Sequence, residues 1–297
     1  MREAVEVRVT QSMLSNNMLR NLSNSYQKMG KLQEQLVTGK KVNRPSDDPV
    51  VVMKGMGYRM QVDKVHQFQR NIGEVHNWLD NTDDALDKVG SALHRASELV
   101  VNGSTDTMTV EDREKLQSEL TQLREQIRDL SNTKVGNRYL FSGTNTSTPL
   151  FDKTTGEFTT TDEAPGLNNK VTIEVFDGIS LDVNTNGDVF KEIDAMFEEI
   201  LSYTDSDEFD QAIEQIQEQL DNVLNIRADV GARQNRAEMM TERLASLEIT
   251  STKQMADNED VDYEKVITEM ITEESIHRAA LSVGARIIQP TLVDFLR

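Results

Sequence analysis

The chain has 297 residues, 51 acidic and 32 basic, for a net charge of −19. So acidic a surface argues against a nucleic-acid binder, which needs clustered Lys and Arg to meet phosphates. The absence of cysteine excludes disulfide frameworks, Cys-ligated metal centres and thiol nucleophiles, and no run reaches the ~20 apolar residues that span a bilayer.

The first ten residues carry Arg2, Glu3, Glu6 and Arg8 and no apolar run, so no cleavable secretory signal is expected. Charge is unevenly spread: residues 1–45 are net +5 and residues 140–222 net −16. An acidic centre with basic ends points to segments in different environments, the acidic part facing water.

Met18, Leu22, Tyr26, Met29, Leu32 and Leu36 recur at three- and four-residue steps and predict a first helix with one apolar stripe. Asn43, Arg44, Pro45, Ser46, Asp47, Asp48 and Pro49 then form a hinge, since each Pro disfavours helix in the residue before it. Ile72, Val75, Leu79, Thr82, Leu86, Val89, Leu93, Ala96 and Val100 alternate steps of three and four, a heptad seam over four repeats. A third helix follows from Leu116, Leu120, Leu123, Ile127 and Leu130.

From Ser142 to Gly187 the chain is dense in Thr, Ser, Asn, Asp and Gly. Val171, Ile173 and Val175 alternate, as do Ile179, Leu181 and Val183, and Asp177-Gly178 between them signals a β-hairpin. Tyr139–Phe141 and Leu150-Phe151 are candidate short strands. An insert of this size is too small to be very stable alone and must lean on the helices.

A fourth helix runs through Ile213, Ile216, Leu220 and Val223, then Ile226, Val230, Arg233, Ala237, Met240, Leu244 and Leu247. A last one, over about 261–288, carries Val266, Met270, His277, Leu281 and Ile288. Five long helices with coiled-coil seams describe a mainly α fold: an elongated, discontinuous helical bundle or coiled-coil rod with a small β-rich insert. The expected division is 1–45 with 255–297 as terminal assembly helices, 46–140 with 190–254 as the helical rod, and 141–189 as the insert.

Catalysis has no candidate. Asp83-Asp84-Ala85-Leu86-Asp87 matches a carboxylate pattern that holds magnesium, but Leu86 belongs to the seam and the Asp residues fall on outward faces. Glu274-Ser275-Ile276-His277 has the Glu-x-x-His spacing of di-iron bundles, yet His66, His76 and His94 have no Glu three residues before them. Nucleotide-loop, zincin and nucleophile-elbow motifs are absent. No cofactor is expected.

The chain ends are the unusual part. The first helix needs partner surface on more than one side to offset the entropy of ordering it. The segment from Ala279 onward supplies Leu281, Ile287, Ile288, Leu292, Phe295 and Leu296 and is apolar almost all round, which suits burial in an assembly. The alternative is a plain monomeric bundle whose terminal helices pair internally.

Several stretches carry a resemblance. They are Arg8–Leu14, Leu36–Pro49 with Arg44-Pro45-Ser46-Asp47-Asp48-Pro49, Lys134–Thr144, Val230-Gly231-Ala232-Arg233-Gln234-Asn235-Arg236, and Gln289–Leu296. With them the chain resembles the bacterial flagellin superfamily, and within it the hook–filament junction members. The resemblance implies a non-enzymatic adaptor, exported unfolded through the flagellar type III channel and refolded outside the cell. Its implied partners are copies of itself in a ring, hook-associated protein 1, flagellin and an export chaperone, with no nucleic acid and no membrane. It further implies that the termini pair as an inner coiled coil and the insert faces outward. A short flagellin is the alternative inside the superfamily; a ferritin-like metal-binding bundle is the alternative outside it.

Overall fold

The computed structural model describes residues 11–104, 109–153, 155–159, 165–203 and 206–287. Helix α1 (Gln11–Thr38) precedes α2 (Pro49–Gly103) and α3 (Val110–Ser131), then two short strands, β1 (Lys134–Val135) and β2 (Arg138–Tyr139). A hairpin of β3 (Thr172–Phe176) and β4 (Ile179–Asp182) leads to α4 (Asp188–Leu201), α5 (Ser206–Glu259) and α6 (Tyr263–Ile287). Two units form: residues 1–63 with 249–297, and residues 64–248.

Local signals explain the helix starts. The Asp48 carboxylate accepts from the backbone N–H groups of Val50 and Val51 (3.0 and 3.1 Å), capping α2 with Pro49 at its first position. Thr109 caps α3 by accepting from Asp112 N–H at 3.3 Å, and Asp262 accepts from Lys265 N–H at 3.2 Å to start α6.

In the 64–248 unit, α2 and α5 run antiparallel: His76 meets Thr241, Gln234 meets Asp80, and Arg227 meets Asp83. All nine seam residues of α2 from Ile72 to Val100 are at most 3% exposed, as the heptad predicts. Ile216, Val223, Val230, Ala237 and Leu244 cover them from α5.

The hairpin stands where the alternation puts it. Its register pairs Ile173 with Leu181 and Phe176 with Ile179 across Asp177-Gly178, and Gly178 takes φ +69° as the tight turn requires. Phe141, Leu150, Phe151, Leu167, Val175, Leu181 and Val183 are buried in the same core as α2 to α5, so the insert does lean on the helices. Phe176 stacks on Phe68 (5.9 Å between centroids) and lies under the Arg243 guanidinium (4.3 Å), which holds the hairpin tip against α2 and α5. Arg233 donates to the Asp182 and Asn184 carbonyls, so it covers the outer edge of β4.

One helix departs from the expected five. Asp188–Leu201 is helical and buries Val189, Phe190, Ile193, Met196, Phe197 and Ile200. It is fixed to α3 by Asp194, whose carboxylate accepts from both Arg124 (2.8 Å) and Arg128 (2.6 Å).

Burial pushes the Asp194 carboxyl up, but the hydrogen bonds and charge of Arg124 and Arg128 outweigh it and hold it below the ordinary carboxylate range. That stability is present above the unfolded-state value and lost as pH falls through the lower folded one. Asp194→Asn is therefore expected to destabilise the chain by ~3 kcal/mol at neutral pH. Urea titrations should also find the variant less sensitive than the parent to acidification below about pH 4; equal acid sensitivity would contradict this account.

Candidate assembly surface

Helices α1 and α6 pack antiparallel within the 1–63 and 249–297 unit, as the pairings Lys28–Glu273, Tyr26–His277 and Lys40–Asp260 establish. The α1 seam is Met18, Leu22, Ser25, Met29, Leu32 and Leu36, with strict steps of four and three. Five of these are half-buried; Ser25 is buried, and its hydroxyl donates to Glu273 at 3.3 Å. The stripe predicted from apolarity placed Tyr26 here. Tyr26 is instead 68% exposed, one position off the seam, its ring 6.2 Å from His277.

On α6 the seam is Val266, Met270, Glu273, His277, Ala280 and Gly284, again with steps of four and three. Gly284 is buried because the Met18 thioether covers it where a Cβ would stand. Leu281 lies off this seam at 48% exposure. Ile287 is the last residue of α6, while Ile288, Leu292, Phe295 and Leu296 lie outside the described residues. Each helix thus carries a second apolar row in the open: Leu19, Tyr26 and Val37 on α1, and Ile267, Ile271 and Leu281 on α6.

The hinge is an ordered turn. Asp47 N–H donates to the Arg44 carbonyl at 2.9 Å, while Arg44 and Asp47 reach back to Glu34 and Lys31 of α1. Gly39 ends α1 in the left-handed region (φ +69°), the usual C-terminal glycine of a helix. Beyond it the two interhelical connections are joined: Lys41 N–H donates to the Glu259 carbonyl (2.7 Å), and Val261 N–H to the Gly39 carbonyl (3.0 Å).

Glu259 is the centre of this join. It is 7% exposed and accepts from Arg59 (2.7 Å) and Lys40 (3.4 Å). Gly55 leaves the space its carboxylate occupies. Lys40 also binds Asp260 at 2.6 Å, and that hydrogen bond, opposed by desolvation, raises its ammonium above the ordinary lysine value. No periodicity or motif brought Glu259, Lys40 and Arg59 together; only Lys40 lies in a stretch singled out from the sequence, Leu36–Pro49, where Gly39 marks a helix stop.

The motifs weighed for metal chemistry have other partners. Asp83 and Asp87 both bind Arg227 (3.0 and 2.8 Å), Asp84 binds Lys88 (2.6 Å), and Glu274 pairs with Arg278. Among the described residues, no cluster of three or more His, Asp or Glu side chains is placed to hold a metal ion. In the same residues no helix is long and apolar enough to cross a membrane.

The described parts of the two chain ends pair along a seam within one unit and leave further apolar side chains exposed. The chain belongs to the bacterial flagellin family: residues 9–146 match the bacterial flagellin N-terminal helical region and residues 213–296 its C-terminal helical region. It is 26% identical to flagellar hook-associated protein 3 of Escherichia coli K12, over 91% of this chain and 93% of that one. It is 29% identical to a 31.3 kDa flagellar filament core protein of Treponema maltophilum, over 71% of each chain. A flagellar hook-associated protein from Vibrio parahaemolyticus, described as putative, shares the fold with a TM-score of 0.63 and 25% identity, covering 72% of this chain and all of that one.

Replacing Glu259 by Gln removes the charge that Arg59 and Lys40 share and should loosen the join. Limited proteolysis is expected to cut residues 39–48 about tenfold faster in Glu259→Gln, with little change in helical circular dichroism. An unchanged cleavage rate would show that the backbone bridge holds the join alone.

Proposed function

We propose that this chain is the structural adaptor that joins the flagellar hook, through hook-associated protein 1, to the first flagellin subunits. The observation that carries the reading is the similarity to a hook-associated protein 3 over 91% of this chain and 93% of that one. The second apolar rows on α1 and α6 support it, since a finished monomer has little reason to leave them in water.

Assembly proceeds by coupled folding. An export chaperone covers the C-terminal segment, the chain passes unfolded through the type III channel, and α1 and α6 settle only when copies in a ring cover their outer rows. Tyr26 and Leu281, with Ile287, Ile288, Leu292, Phe295 and Leu296, contribute to that shared interface; Met18, Leu22, Met29, Leu32 and Leu36 hold the pair together from inside. The residues from Asn43 to Pro49 turn the chain from the terminal pair into α2. The acidic insert faces outward.

A filament subunit is the second reading, favoured by the similarity to a filament core protein over 71% of the chain. Imaging a tagged chain separates the two. One spot between hook and filament is expected; label along the whole filament would replace the junction reading with the filament one.

Leu281→Asp tests the assembly surface. Because Leu281 lies off the seam, the variant is expected to keep the helix content of the unassembled parent chain while motility and filament attachment are lost. Normal swimming would remove Leu281 from the interface.

A further inference from the structure

The sequence contains two Asn-Gly pairs, Asn102-Gly103 and Asn186-Gly187. They sit in opposite settings. Asn102 and Gly103 are the last two residues of α2, so both backbone groups stand in a helix. Asn186 is exposed and outside any helix or strand, one residue before the buried Gly187 that precedes α4.

Gly187 is required by packing. A Cβ there would stand 2.8 Å from the Phe141 carbonyl oxygen and 2.7 Å from a Leu150 methyl. The Phe141 backbone cannot yield as a flexible side-chain end does. The core therefore imposes after Asn186 the one residue whose backbone nitrogen is unshielded by a side chain. The Gly187 N–H has no acceptor among the described residues.

The hydrogen bonds around Asn186 polarise its amide on the oxygen side. Asp188 N–H donates to the Asn186 Oδ1 at 3.2 Å, where negative charge develops when the amide carbon is attacked. The Asn186 Nδ2, the leaving nitrogen, donates to the Asp188 carboxylate at 2.6 Å.

We propose that Asn186 is a site of spontaneous deamidation. The Gly187 nitrogen gives its proton to solvent and bonds to Asn186 Cγ, closing a five-membered succinimide. Nδ2 takes a proton from solvent as the Cγ–Nδ2 bond breaks, and ammonia departs. Water then opens the ring at either carbonyl, leaving aspartate or isoaspartate. One water is consumed and one ammonia released, with no change of oxidation state.

The product alters the start of α4. The donor facing Asp188 becomes a second carboxylate, and like charges at that distance repel. Asn168 Nδ2, 3.2 Å from Asp188, is the remaining donor to that carboxylate. Isoaspartate also lengthens the backbone by one methylene beside a glycine packed too closely to accept a Cβ. Each chain thus carries a one-way mark of its age at the edge of the insert.

The test incubates the full-length chain in warm, mildly alkaline buffer, digests samples with pepsin in acid and reads both Asn-Gly peptides by mass spectrometry, with isoaspartate counted by methyltransferase labelling. Asn186 is expected to convert faster than Asn102 by about tenfold or more, and the two should convert equally in urea. Equal rates in the folded chain, or a persistent Asn186 amide, would overturn the proposal. Asn186→Asp, which mimics the product, is expected to lower the thermal midpoint relative to the parent chain; no difference would overturn the consequence assigned to α4.

Discussion

A helix is stable in water when its apolar rows are covered, and the terminal helices here cover one row each while carrying two. Their seam is also thin: Ser25, Glu273, His277, Ala280 and Gly284 occupy the kind of position that α2 fills mostly with Val, Leu and Ile. Burial of apolar area stabilises at ~25 cal/mol per Å², so a seam of small and polar residues contributes far less than the α2 seam. The 64–248 unit, with its Phe, Leu and Ile core, has no such shortage. The imbalance between the two units follows from side-chain size at seam positions, and it makes the terminal unit the part that gains from a partner.

Polar contacts do different work in the two places. At α3 and α4, Asp194 between Arg124 and Arg128 replaces water with a bidentate pair on each side, joining helices that already share a core. At the base of the terminal pair, Glu259 lies between side chains from α2 and the end of α1, and backbone hydrogen bonds run both ways beside it. There the polar network substitutes for apolar area that the seam lacks.

What could be read from the sequence followed the strength of the periodic signal. The nine seam residues of α2 were legible because seven of them are Val, Leu or Ile at heptad spacing, and the hairpin because alternation meets an Asp-Gly turn. In α1 the true seam position holds Ser25, and a search for apolar side chains stepped to its neighbour Tyr26. Leu281 was drawn into the last seam for the same reason, since Ala280 and Gly284 are too small to announce the row they occupy. Helix α4 has a clear pattern in Val189, Phe190, Ile193, Met196, Phe197 and Ile200 but follows directly on the Thr-, Asn- and Gly-rich insert, which hid its start. Glu259 was beyond reach, because its burial arises only when residues 40, 55, 59 and 259 meet in space.

The polar seam residues have a consequence of their own. A uniform apolar seam permits helices to slide by a heptad at little loss, whereas a polar residue at one seam position specifies register at some expense of stability. Ser25 and Lys28 against Glu273 form such a device halfway along the pair, and the Lys40–Asp260 backbone bridge forms a second at its base. With two points fixed along an antiparallel pair, neither helix can slip without breaking one of them. The outer rows of Leu19 and Tyr26, and of Ile267, Ile271 and Leu281, are then presented at fixed positions even though the pair is only weakly held. The ring assembly proposed for this chain would draw on that combination: a defined register to make the rows match, and an incomplete burial for neighbouring copies to finish.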